Sequence, residues 1–179
     1  KEEAKHFRML SDHLVSEGSF YGAFSAHNGL WDSAERTAHD PLVRMALVPR
    51  VLEARGLDVT PGIIHRLHEV GESKVVDLLK VILQEEEGHV EIGNRWYRYL
   101  CHKRGIEEIP TALNLLKEYS QIIRAPLNEE ARLRSGFTKE ELEVYFESFG
   151  SHVRFSHLAT KFIIESQEKG VFIGISGLT

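Results

Sequence analysis

The chain contains a single cysteine, Cys101, in 179 residues. One thiol excludes an internal disulfide and a Cys-x-x-Cys electron-transfer centre, and it fits a reducing compartment. Cys101 follows Tyr99 and Leu100 near a helix end, where packing is its expected role. Long apolar runs are missing too: none approaches the roughly eighteen residues that a membrane helix needs, and nothing has the layout of a signal peptide. The expectation is a soluble, cytoplasmic protein with no membrane partner. A basic excess is also absent, since 22 Lys+Arg face 27 Asp+Glu for a formal charge of −5. That balance offers no general electrostatic footprint for a nucleic-acid backbone.

What is present is histidine, ten residues in all, and a length that suits one domain, alone or with a helical extension. Residues 72–102, ESKVVDLLKVILQEEEGHVEIGNRWYRYLCH, read as one long helix. Steps of four and three along it select Val75, Leu79, Ile82, Glu86, His89, Gly93, Trp96 and Leu100, a stripe apolar at both ends and ionisable in its middle. A carboxylate on a buried stripe is costly unless it is paired, protonated or bound to a cation. Glu86 and His89 stand three apart and therefore side by side, which makes a Glu-x-x-His unit.

A second copy raises the specificity. EEAKHF at 2–7 repeats EEEGHV at 85–90, so Glu3 and His6 match Glu86 and His89. Glu3, His6, Leu10, His13 or Leu14, and Glu17 again share one side of a helix that Gly18 closes. The stretch 19–40 has aromatics at Phe20, Tyr21, Phe24 and Trp31 and reads as a loop with short helical turns, able to shape a pocket. For its His27 and His39 the ordinary role is a bond to loop backbone.

Asp40-Pro41 reads as an N-cap with proline at the first helical position, opening a helix that Gly56 ends and Pro49 kinks or divides. Leu42, Ala46, Pro49 and Glu53 share a face. A surface ion pair of Glu53 with Arg50 or Arg55 competes with a ligand role, and the two Glu-x-x-His copies favour the ligand. A turn and a short helix from about Pro61 to Val70 follow, with His65 and His68 facing water. After Cys101 come a turn, a helix with Leu113, Leu116 and Ile123 inward, the arginine-rich connection RAPLNEEARLRSGF, and a capping box at Thr138–Glu141. The box opens a last helix to about Ser166, with Leu142, Phe146, Phe149 and Val153 in heptad-like register. Core packing and a homodimer or partner interface both explain those side chains. Residues 170–179 read as a loose tail.

With Glu3, His6, Glu53, Glu86 and His89 located, the chain resembles the ferritin-like di-iron carboxylate superfamily, and more closely a largely uncharacterised bacterial family of ferritin-like proteins. EEAKHFRML, YGAFSAHNGLWDSAERTAHDPL, RMALVPRVLEARGLDVTPGI and EEEGHVEIGNRWYRYLC carry the resemblance, and APLNEEARLRSGF does so more weakly. It implies an all-α, antiparallel four-helix bundle in which the first and third helices give one glutamate each and the second and fourth give one Glu-x-x-His each. Residues 1–105 then hold helices two to four, and 106–179 form a C-terminal helical extension on or beside them. On this pattern the metal ligands are Glu3, His6, Glu53, Glu86 and His89. The glutamate of the first helix is expected before Lys1, which starts inside a helix with no cap. Glu35, Glu143, Glu147 or another subunit are the substitutes.

Carboxylates with one imidazole per metal suit iron or manganese better than zinc. The expectation is a di-iron oxidoreductase, of hydroxylase or monooxygenase type, that activates dioxygen for an organic substrate with an external reductase. His27, Trp31 and Trp96 are its pocket candidates. The superfamily also includes a monooxygenase acting on a modified base of transfer RNA, which keeps an RNA substrate open. The second reading is ferroxidase, rubrerythrin-like peroxidase or manganese catalase, with two manganese ions or a mixed pair; the missing Cys-x-x-Cys weighs against a self-contained rubrerythrin. The third is a metal-free helical scaffold, against which stands the mutual repulsion of its gathered carboxylates.

Overall fold

The computed structural model describes residues 1–149, and every regular element in that span is a helix. The parts of the last helix and tail beyond Phe149, Val153 included, lie outside the described residues. The elements are α1 (Glu2–Ser16), α2 (Gly29–Arg36), α3 (Pro41–Leu47), a π-helical segment (Val48–Glu53), α4 (Ala54–Glu69), α5 (Ser73–Arg104), α6 (Glu108–Glu118), α7 (Glu129–Arg134) and α8 (Lys139–Phe149). No described helix is long and apolar enough to cross a membrane.

The hub is α5, a 32-residue helix against which α1, α3, the π-helical segment, α4, α6 and α7 all pack. It contains no proline, and it stops at Gly105, whose φ of 65° supplies the left-handed cap. Its last turn, His102, Lys103 and Arg104, sets positive charge against the helix dipole. The expected stripe holds as far as Gly93 and then rotates. Val90, Gly93, Asn94, Tyr97 and Cys101 are the buried residues of the second half, while Trp96 is 49% exposed. An α-helix drifts by about 20° per heptad relative to a seven-residue repeat, so a stripe traced by alternating steps from Val75 is about 60° off by Trp96, three heptads on.

The second rod is straighter in the chain than its sequence suggests. Gly56 does not end a helix: α3, the π-helical segment and α4 run on from Pro41 to Glu69. Ala54 and Leu57, on either side of Gly56, are fully buried, and that burial outweighs the roughly 1 kcal/mol helix cost of one glycine. Pro61 also lies inside α4, where it cannot donate to the carbonyl of Leu57. Asn128 Nδ2 does so instead, at 3.2 Å, so the arginine-rich connection mends the gap that proline opens.

Pro49 gives neither a simple kink nor two separate helices but a π-helical turn, a wider winding frequent at functional sites. It seats on Gly93 of α5. A Cβ built on Gly93 would overlap Pro49 Cβ and Cγ, so only glycine lets the two backbones come this close. Gly93→Ala is expected to destabilise the fold by about 3 kcal/mol, the upper end for overpacking, and chemical denaturation reads the loss. A change below about 1 kcal/mol would show that the seam can simply widen.

One core unites the amino- and carboxyl-terminal regions. Leu42, Leu47, Ala54 and Leu57 of the rod meet Val90, Tyr97 and Cys101 of α5, and Leu116, Phe137, Leu142 and Tyr145 close the same cluster. Within it lie two ionised pairs. Arg132 donates from Nε and Nη2 to Asp58 at 2.9 and 2.7 Å. Arg50 pairs with Glu141, donates to Tyr145 Oη at 2.9 Å, and stacks 4.0 Å from the Tyr97 ring centroid. Thr138 caps α8 by accepting from Glu141 N at 3.1 Å, and the side chain of Glu141 turns to Arg50.

Candidate metal centre

Helices α1 and α5 lie against each other along their Glu-Glu-x-x-His faces. Glu3, Glu86 and His89 each offer one ligand atom within 4.8 Å of the others. His6 joins them, with Nδ1 3.7 Å from a carboxylate oxygen of both Glu3 and Glu86 and its ring centroid 5.8 Å from that of His89. Glu53 reaches the group from the π-helical segment, close enough that Glu86, His89 and Glu3 all act on its charge. A surface pair for Glu53 is ruled out by geometry. Arg50 is buried with Glu141, and Arg55 donates to the carbonyls of Arg124, Ala125 and Pro126.

The two motifs are laced crosswise by the glutamates that precede each ligand pair. His6 Nε2 donates to Glu85 at 2.7 Å, and His89 Nε2 donates to Glu2 at 2.9 Å. A carboxylate can only accept, so each bond fixes the proton on Nε2 and turns Nδ1 toward the carboxylates between the helices. Lys5 adds a second partner to Glu85, and these neighbours hold the Glu85 carboxyl below its usual range. Sequence reasoning missed Glu2 and Glu85. The signal was there, because both copies read Glu-Glu-x-x-His rather than Glu-x-x-His alone.

The electrostatics are those of an uncompensated site. Burial, followed by the charge of Glu3, raises the Glu86 carboxyl, and the two histidines only partly oppose this. Burial and then Glu86 raise Glu53 in the same way. For His89 burial favours the neutral ring, but the bond to Glu2 and the charges of Glu86 and Glu3 outweigh it and raise its pKa. Its Nδ1 lies 2.7 Å from Glu3 and 3.4 Å from Glu86, so the imidazolium proton occupies the position a cation would take. His6 Nδ1 and Glu86 Oε2, both buried, have no hydrogen-bond partner. Unpartnered nitrogen and oxygen atoms on neighbouring side chains of one cluster are a ligand set that fits divalent iron or manganese.

The enclosure is less complete than a wholly internal stripe implies. Glu3 is 68% exposed, and α1 packs mainly on α5, so the centre opens on that side. Of the three pocket candidates, His27 is exposed and accepts from Gly29 N at 3.2 Å, Trp31 is 63% exposed, and Trp96 is nearly half exposed. Within the stretch read as a loop with short helical turns, residues 29–36 make the regular helix α2, in which Trp31 Nε1 donates to Glu35 at 3.1 Å. His39 stacks on Tyr119 with its Nε2 3.2 Å from the phenol oxygen, a side-chain partner where loop backbone was expected. His65 and His68 do face water. Cys101 is fully buried, and burial raises its thiol pKa, as suits a packing residue.

A family model described as "Protein of unknown function (DUF455)" matches residues 1–143. The chain belongs to the DUF455 family. A relative from Haemophilus influenzae (strain ATCC 51907 / DSM 11121 / KW20 / Rd), described as "Uncharacterized protein", is 45% identical over 148 residues, which are 82% of this chain and 51% of that protein. The chain thus spans about half the length of the curated relative it matches. No solved structure matches it. Both motifs, Glu53 and the Arg50–Glu141 pair fall within the DUF455 region.

Proposed function

We propose that this DUF455 chain is a ferritin-like di-metal protein that binds two iron ions and acts as an oxygen-activating oxidoreductase of hydroxylase or monooxygenase type. The reading rests on one observation: two Glu-Glu-x-x-His motifs face each other with each histidine tied by Nε2 to the other motif's leading glutamate, which leaves both Nδ1 atoms directed at shared carboxylates. Glu3, Glu53 and Glu86 would hold the ions with His6 and His89, and manganese in both sites or one is the alternative filling. The bound pair would supply electrons for the reduction of dioxygen or peroxide. Glu2 and Glu85 keep the imidazoles in the tautomer that offers a nitrogen lone pair, and the three inner carboxylates offset the positive charge. An organic substrate and an external reductase complete the proposal.

The exposure of Glu3 favours one second reading, iron or peroxide handling, because a site open to solvent admits hydrated ions and peroxide freely. Oxygen uptake and peroxide turnover by iron-loaded protein distinguish the two. Oxygen consumption with an added reductant, well above peroxide disproportionation, is the result expected. Rapid peroxide turnover without reductant would move the assignment to catalase or peroxidase chemistry. No bound metal after loading would remove both.

A further inference from the structure

Away from the metal centre, the arginine-rich connection after α6 folds over the π-helical segment and encloses a half-open cavity of about 270 Å³. Its apolar wall is Val51, Leu52, Ile122 and Ile123, and its polar wall includes Arg55, Arg124 and Arg132. Three guanidinium groups on one small cavity stand out in a chain of formal charge −5. One carboxylate, Asp58, is bonded to Arg132 and lies 3.8 Å from Arg55. Three positive charges against one negative leave an excess of two.

The three arginines are held differently. Arg132, almost wholly buried, spends Nε and Nη2 on Asp58, while its Nη1 has no partner. Arg55 is pinned by three backbone carbonyls of the connection. Arg124 is exposed on the rim, and its backbone carbonyl is one of the three that hold Arg55. Arg132 Nη1 is closed off from solvent, so the charge that a bound anion would meet directly comes from Arg55 and Arg124, with Arg132 behind them. Guanidinium forks match the oxygens of carboxylates and phosphates, and the apolar wall accommodates a short hydrocarbon portion. The volume lies just below the usual range for small-molecule sites, so the occupant is compact.

We propose that this cavity is a binding site for a small organic anion, with its carboxylate or phosphate against Arg124 and Arg55 and its apolar part on Val51, Leu52 and Ile122. The site stands independently of the metal assignment, although the π-helical segment that carries Glu53 forms its floor.

Calorimetric titration of the full chain with inorganic phosphate and with butyrate, in an amine buffer at physiological salt, tests the proposal. Saturable binding of either probe is expected, and the stronger of the two identifies the anion class. Arg124→Gln should weaken it about ten-fold, the equivalent of one charge-assisted contact. The Arg55→Gln/Arg124→Gln double variant should abolish it, with circular dichroism checking that the chain stays folded. Arg66→Gln, an exposed arginine of α4 outside the cavity, should leave it unchanged. Absence of saturable binding by both probes overturns the proposal. So does equal weakening by Arg66→Gln, or binding only of an RNA oligonucleotide with a steep salt dependence.

Discussion

Glu86→Ala and His89→Ala are each expected to abolish stoichiometric iron binding while the far-ultraviolet circular dichroism stays helical. Glu86 is the residue around which the proposed centre is built: its oxygens lie 3.7 Å from His6 Nδ1 and 3.4 Å from His89 Nδ1, and its charge acts on Glu53. Its removal takes away the carboxylate shared by the two imidazoles. The fold should tolerate the loss, because Glu86 and His89 are only partly buried and the core lies on Val90, Tyr97 and Cys101. Without metal, the Glu86→Ala variant should gain slightly in stability over the parent at neutral pH. The Glu86 and Glu53 carboxyls are raised, so the folded metal-free chain binds more protons than the unfolded one. Stability that is intact below the ordinary carboxylate value is then lost as pH rises through the folded value. His89, also raised, follows the same sign from its ordinary value near 6.5 upward. Metal uptake should therefore release protons, and apparent affinity should climb with pH across those windows. Elemental analysis of the variants and proton release in weak buffer measure both effects; unchanged iron content in both variants would defeat the assignment.

Glu141→Ala should cost about 3–5 kcal/mol, because it strands the charge of Arg50 in the core. Arg50 is 2% and Glu141 3% exposed. Two of the Arg50 nitrogens, Nε and Nη1, already lack partners, so one bond to Tyr145 and the faces of Tyr97 and Phe137 would remain. The melting temperature should fall by about 6–20 °C. Replacing both members, Arg50→Met with Glu141→Leu, should recover most of the loss, since the penalty belongs to the unpaired charge and not to the missing bond. A single variant that melts within about 2 °C of the parent would mean that water reaches Arg50.

The long helix, the Asp40 cap and the two Glu-x-x-His motifs were legible in the sequence because each rests on spacing within one element. Asp40 does accept from Leu42 N at 2.8 Å, and Ser73–Arg104 nearly coincides with the stretch read as helical. What was hidden depends on contacts between distant elements. Gly56 looks like a stop until Ala54 and Leu57 are seen buried, and Pro61 looks like a start until Asn128 takes the carbonyl it frees. Arg50, which the sequence offered only as a competing surface partner for Glu53, belongs to a residue 91 positions away. Gly93 is unremarkable in a helix until Pro49 is found against it. The aromatic loop drew attention as a pocket wall because aromatics usually pack, but Phe20, Tyr21, Phe24 and Trp31 are all largely exposed.

The π-helical segment has a consequence for how the family can change. It behaves as a phase adjuster between two lengths of ordinary helix, advancing Glu53 relative to the face that begins at Leu42. Each α-helical residue turns the chain by about 100°, so deleting one residue between Val48 and Leu52 would swing Glu53, Leu57 and Asp58 together out of alignment. Insertions and deletions should accordingly gather in the stretch around residues 19–28, where register carries no burden, and spare this one turn.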